Sequence, residues 1–373
     1  MSEPKPRIHL NHLDGLRALA AVYVTIFHAK CMVWPMDNTP LGELRKFVSW
    51  SMYGHWSVCI FIVLSGYCLM LPVVNSPDIT LRGGLVGFMK RRARRILPPY
   101  YFALILSLLL IWTSIGSVTG TAWDRSLPVT FHSIISHLTL THNLFFFKDQ
   151  SINDYSQINY PFWSVAVEWQ IYFTFPILLL MWRKLGGLWA TTLWTLVSYM
   201  FVFLFRPSQF IGITPQFYAL FGLGALGAAI SVSPSVIWEK ARARVPWLAV
   251  TIGSALAVLA LRNVRNGRIL DFLVGLSTLC LLVLLSQPAG ERLRAICSAR
   301  PLVSIGSYSY SLYLLHAPLL QLLWQFGISR LHTSDVSRYL LIILLGVPFC
   351  LGCSYLFYLV CERPFLTARR QSA

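Results

Sequence analysis

LDGLRALAAVYVTIFHAKCMV, residues 13–33, decides the fold. It is as long as the ~20 mostly apolar residues that an α-helix needs to cross a hydrocarbon core about 30 Å thick. Asp14, Arg17 and His28 interrupt it. An ionisable group inside hydrocarbon costs on the order of 2.5–3.5 kcal/mol, so each one needs a structural or functional reason. Arg17 and His28 are about three helical turns apart, share one face and are separated by about 16 Å along the axis. Asp14, one turn before Arg17, can pair with it. The run has no small-residue cleavage site and carries charge, so it does not read as a cleavable signal.

The same ruler applied to all 373 residues gives about ten spans, near 13–33, 52–72, 98–118, 161–181, 187–205, 212–232, 246–262, 269–286, 302–323 and 339–361. The expected fold is therefore all-α, a polytopic membrane helix bundle forming a single membrane-embedded domain over residues 1–373. Composition agrees, because 56% hydrophobic against 12% charged residues is not the make-up of a soluble protein. Gly 23, Pro 20 and scattered Cys 8 exclude collagen-like, disordered and disulfide-scaffold chains, and the cysteines read as free thiols. A net charge of +17 would suggest nucleic acid in a soluble protein. In a membrane protein it fits basic cytoplasmic loops facing anionic lipid, so no nucleic-acid partner is expected. With the N-terminus inside, about 19 Lys and Arg fall on the cytoplasmic side, among them Lys5, Arg7, Arg369 and Arg370, against about 11 outside. Both termini are accordingly expected in the cytoplasm. The long polar and aromatic segment 119–160 is a candidate lid or re-entrant loop.

Two further clusters stand out. In PFWSVAVEWQIYFTFPILL, entering from outside, Glu168 lies roughly 10 Å deep, close to the depth of His28, so the two suggest a proton-handling pair. In FMKRRARRILPPYY, five of the six residues from Lys90 to Arg95 are cations at the cytoplasmic mouth, a field that attracts polyphosphate, although such runs also serve as topology and headgroup determinants. Other motifs are set aside. GLGALG, with Gly222, Gly224 and Gly227, matches a dinucleotide fingerprint but lies inside an apolar span, where it reads as helix packing. Cys350 and Cys353 have no second pair, and His132, His137 and His142 are spaced by five and cannot share a helical face, so no metal site is expected from either.

Taken in order, LDGLRALAAVYVTIFH, VCIFIVLSGYCL, RRARRILPPYY, FWSVAVEWQIYF, SYSYSLYLLHAPLL and CERPF resemble the acyltransferase-3 family over nearly the whole chain. These are integral-membrane O-acyltransferases of the O-antigen and exopolysaccharide acetylase type. The resemblance implies acyl-CoA, by default acetyl-CoA, as the donor substrate, with no permanently bound cofactor. It implies a glycan or other hydroxyl on the far side of the membrane as acceptor, and a bacterial inner membrane as the setting. Arg17 and His28 fall on the family's Arg-x10-His signature, Arg92 and Arg95 on its Arg-x-x-Arg, and Glu168 on its Trp-Ser-x-x-x-Glu. Ser65 and Gly66 match its Ser-Gly, and Tyr313 and His316 its Tyr-x-x-His. Some relatives carry a fused extracytoplasmic domain. This sequence stops soon after its last span, so it is expected to act alone or with a separate partner.

On this reading Arg92 and Arg95, with Arg17, hold the phosphates of acyl-CoA. His28 removes the acceptor proton, Glu168 orients His28, and Trp163 and Tyr172 form an aromatic wall on the acceptor side. Ser65, Tyr313 or His316 are candidate oxyanion donors. Acylation of the protein before transfer is an alternative route. From another class, a proton-coupled transporter also uses buried His, Glu and Arg.

Overall fold

The computed structural model describes residues 10–35, 43–74, 76, 79–145, 156–204, 212, 214–263 and 267–367. Both termini, with Lys5, Arg7, Arg369 and Arg370, lie outside the described residues, as does Arg265 in the link before the eighth expected span. The described residues form helices and connecting turns without a strand. In chain order the α-helices are α1 (Asn11–Val33), α2 (Glu43–Val48), α3 (Gly54–Val74), α4 (Gly84–Leu110), α5 (Phe131–Leu138), α6 (Trp163–Leu185), α7 (Gly187–Leu204), α8 (Gln216–Val232) and α9 (Val236–Arg244). They continue with α10 (Trp247–Leu261), α11 (Gly267–Ser286), α12 (Glu291–Cys297), α13 (Arg300–Ser307), α14 (Ser309–Phe326), α15 (Asp335–Leu341), α16 (Val347–Phe357) and α17 (Arg363–Thr367).

Among the described residues, seven helical segments are long and apolar enough to cross a membrane: Asn11–Val33, Glu43–Val74, Gly84–Ile115, Tyr160–Leu185, Gly187–Leu204, Gly267–Ser286 and Asp335–Leu366. The protein is a multi-pass membrane protein of helices. The other three expected spans are helical but fall short of that standard for separate reasons. α8 reaches it only together with α9, from which it is bent by 88°, and α10 is a shorter apolar helix. The expected span 302–323 is divided at Tyr308 into α13 and α14. α14 carries Ser311, Tyr313, His316 and Gln321, all buried in the bundle, so its polar groups meet protein rather than lipid. Hydropathy measures affinity for lipid and therefore undercounts an interior helix.

α1 packs against α3, α13 and α14, while α3 runs along α8, and α11 closes against α8 and α10. The α3–α8 approach is backbone to backbone. A Cβ on Gly224 would overlap the Val63 carbonyl, and one on Gly66 would overlap that of Phe221. GLGALG is thus a packing surface, as small residues in membrane helices usually are. Gly224→Val is expected to cost about 3 kcal/mol or more and to abolish the monodisperse detergent-solubilised peak seen by size exclusion, a result that an unchanged peak and melting temperature would contradict.

Segment 119–160, described except for 146–155, packs onto the end of the bundle. Trp123 is fully buried and donates from Nε1 to the Ile115 carbonyl at 3.0 Å. Thr121 Oγ1 donates to Gln321 Oε1 at 2.9 Å, and Asn159 Nδ2 donates to the Leu314 carbonyl at 3.0 Å, so the segment is fixed to α14. Within it the rings of His137 and His142 stack with centroids 3.9 Å apart. Their five-residue spacing forbids one helical face, but α5 ends at Leu138 and the chain turns back. Burial pushes His137 down to about 4 despite carbonyls of Ser133 and Gln157 beside its nitrogens, and burial, then the His137 charge, hold His142 well below 6.5. A histidine kept neutral by folding contributes stability that is complete above its unfolded pKa and lost as pH falls from about 6.5 towards about 4. The loss at pH 5 is about 2 kcal/mol for His137. Protease cleavage within 119–160 should therefore rise between about pH 7 and pH 5 for an acid-tolerant protease, and equal cleavage would contradict this.

Candidate active site

One cavity of about 870 Å³, its open mouth included, gathers Arg17, Ser65, Arg92, Arg95, Glu168, Tyr172 and Tyr313. These residues come from α1, α3, α4, α6 and α14, so seven sequence-selected positions meet across five helices. Arg17 Nη1 donates to Asp14 Oδ1 at 2.7 Å, the pairing expected one turn apart, and Nη2 to Cys68 Sγ at 3.0 Å. Arg92 is mostly buried, lines the cavity, and its Nε has no hydrogen-bond partner. Both Arg17 and Arg92 lie within electrostatic reach of Glu168. A buried guanidinium nitrogen without a partner is costly unless an anion or carbonyl comes to it.

Tyr172 Oη donates to Glu168 Oε1 at 2.5 Å, and Ser65 Oγ lies 3.1 Å from the same Tyr172 oxygen. Because the tyrosine proton goes to the carboxylate, the serine hydroxyl must donate to the tyrosine. Tyr313 Oη donates to the Pro161 carbonyl at 2.9 Å and accepts from Ser164 Oγ at 2.5 Å.

His28 is not one of the lining residues and connects to them through His316 and Tyr313. Its Nδ1 is 2.6 Å from His316 Nε2, the two rings are nearly parallel, and His316 lies 5.6 Å, ring to ring, from Tyr313. The expected orienting role of Glu168 is thus not what the hydrogen bonds show: Glu168 accepts from Tyr172, and the partner of His28 is His316. The helix backbone sets the tautomers. His316 Nδ1 is 3.1 Å from the Leu312 carbonyl, one turn back, and must donate there, which leaves Nε2 as an acceptor. His28 then donates from Nδ1 and keeps the lone pair on Nε2, the arrangement of a general base. The ring is held edge-on to Tyr160 at 4.9 Å.

The expected aromatic wall is only half present. Tyr172 lines the cavity, whereas Trp163 packs against both His55, at 6.0 Å, and Phe217, at 5.6 Å. As oxyanion donors, Ser65, Tyr313 and His316 have their protons committed, so the arginine N–H groups are the donors with capacity to spare. Sequence reading missed Ser164, Tyr310 and Glu362. Tyr310 lines the cavity and donates to the Ile96 carbonyl at 3.1 Å. Glu362 is buried, accepts from Ser311 Oγ at 2.5 Å and faces Arg95. A carboxylate in the apolar end of a span, in CERPF, was the available signal.

The family described as "Acyltransferase domain" (acyltransferase 3) matches residues 10–359. Among curated proteins, the chain is 27% identical over 327 residues to "Putative O-acetyltransferase SACOL0978" of Staphylococcus aureus (strain COL), covering 82% of this chain and 49% of the relative. It is 24% identical over 333 residues to "O-acetyltransferase OatA" of Staphylococcus aureus (strain NCTC 8325 / PS 47), covering 84% and 51%. The chain spans about half the length of these relatives. No solved structure matches.

Proposed function

The chain belongs to the acyltransferase-3 family, and from that premise we propose that it is a membrane O-acetyltransferase, carrying an acyl group from acyl-CoA to a hydroxyl of a glycan beyond a bacterial inner membrane. The observation that carries this reading is the cavity itself, lined by Arg17, Arg92 and Arg95 together with Glu168. Three guanidiniums line this space with Glu168, while Asp14 and Glu362 hold Arg17 and Arg95 from outside it, and charge-assisted bonds from such groups to phosphate are about twice as strong as neutral ones. Arg95, held opposite Glu362, and Arg92 bind the phosphates. Arg17, fixed by Asp14, lies further along the same space and faces the thioester end.

In the transfer step the acceptor oxygen attacks the thioester carbon, the C–O bond forms and the C–S bond breaks. His28 Nε2 takes the hydroxyl proton and returns it to the departing thiolate as CoA–SH. His316 fixes the His28 tautomer and is a positioning residue. Glu168, holding Tyr172 and through it Ser65, keeps the cavity wall rigid and balances the arginines; its removal is expected to weaken both donor binding and turnover. With purified protein, labelled acetyl-CoA and a polyhydroxyl acceptor, free CoA and labelled ester should appear in equal amounts. Label retained on the protein in the absence of acceptor would favour the acyl-enzyme route. Proton movement without CoA release would replace the proposal with the transporter reading.

A further inference from the structure

Away from this cavity, at the N-terminal ends of α3 and α11, His55, Cys59 and Asp271 bring one ligand atom each to within 4.8 Å of the others. His55 Nε2 is 3.0 Å from Asp271 Oδ1, and Cys59 Sγ is 3.5 Å from the same oxygen. We propose that this cluster is a binding site for a zinc-class divalent transition metal that ties α3 to α11.

Geometry and donor chemistry carry the proposal together. Zinc bonds of about 2.0–2.3 Å to N, O and S in a tetrahedron place the ligand atoms roughly 3.2–3.6 Å apart. The Cys59–Asp271 separation of 3.5 Å is in that range, the His55–Asp271 separation of 3.0 Å is slightly shorter, and all three ligand atoms lie within 4.8 Å of one another, so side-chain adjustments of a few tenths of an ångström to about an ångström bring them round one ion. Imidazole, thiolate and carboxylate together select zinc, cobalt or nickel over magnesium and calcium, which prefer oxygen alone. His55 and Cys59 are one turn apart on α3 and share a face.

The surroundings resemble a supported metal shell. Gln216 Nε2 donates to Asp271 Oδ2 at 3.2 Å, which turns the other carboxylate oxygen towards His55 and Cys59. Gln216 is itself buried, which fixes this support in place. His55 packs on one side against Trp163 and Phe217, while its side chain is 47% exposed and leaves a path for the ion. Trp163 immediately precedes Ser164, the residue bonded to Tyr313, so the metal would also steady the start of α6 beside the cavity. Asp271 lies 212 positions from Cys59, so the set has no local spacing signature.

The test uses the full chain in detergent, purified without chelator. About one equivalent of zinc by elemental mass spectrometry is expected, and cobalt added to chelator-stripped protein should give a thiolate-to-cobalt charge-transfer band. Cys59→Ser should lose the band, and Asp271→Asn should weaken zinc binding by about tenfold or more, both while remaining monodisperse. Wild-type protein that is folded yet takes up no stoichiometric zinc on dialysis and gives no cobalt–thiolate band overturns the proposal. Unchanged zinc affinity in both variants also overturns it. Neither readout depends on acyl transfer.

Discussion

His28→Ala is expected to lower turnover by about 10²- to 10⁴-fold, the usual contribution of a positioned general base, while leaving the donor KM nearly unchanged. The reason is local. His28 is 6% exposed and stacked on His316 rather than on the arginines, so its loss removes a proton acceptor without touching the anion-binding wall. His316→Gln separates base from orienter. A glutamine can still offer an oxygen to the His28 Nδ1 proton, so a smaller loss is expected than for His28→Ala, with rescue relative to His316→Leu. An H28A protein with wild-type turnover would remove this histidine from the chemistry. Equal losses in H316Q and H316L would remove the tautomer argument.

Arg92→Ala should act mainly on the other parameter. Charge-assisted hydrogen bonds contribute about 1.5–3 kcal/mol each, so the donor KM is expected to rise by about 10- to 150-fold, with a smaller effect on turnover. Arg92→Lys restores the charge but not the planar fork and should recover only part of the affinity. The loss should shrink for a donor lacking the nucleotide phosphates, because the lost contact is then absent in both proteins. An identical loss with pantetheine thioesters would assign Arg92 to the reacting end instead.

Much of this arrangement is visible in the sequence, and the remainder is hidden for identifiable reasons. A span announces itself by lipid-facing residues, and α1, α3, α4, α6, α7, α11 and the last helical segment follow that rule. α14 does not, because its partners are α1, α4 and α16 and its polar side chains are satisfied inside the protein. The short-range pairing of Asp14 with Arg17 follows from helical spacing. That of His28 with His316 spans 288 positions, and that of Ser311 with Glu362 joins two helices, so neither has a local signature. Helical rise sets His28 and Glu168 at one depth but leaves open which neighbour each meets. Depth fixes one coordinate, and the bundle's packing order fixes the others.

Mass spectrometry of surface glycans bears most directly on the acyl-transfer reading, using cells that express wild type, His28→Ala or Glu168→Ala at equal membrane abundance. An added acyl mass in wild type that disappears in H28A and falls steeply or disappears in E168A is the predicted result. The same acyl mass at the same level in all three would contradict it.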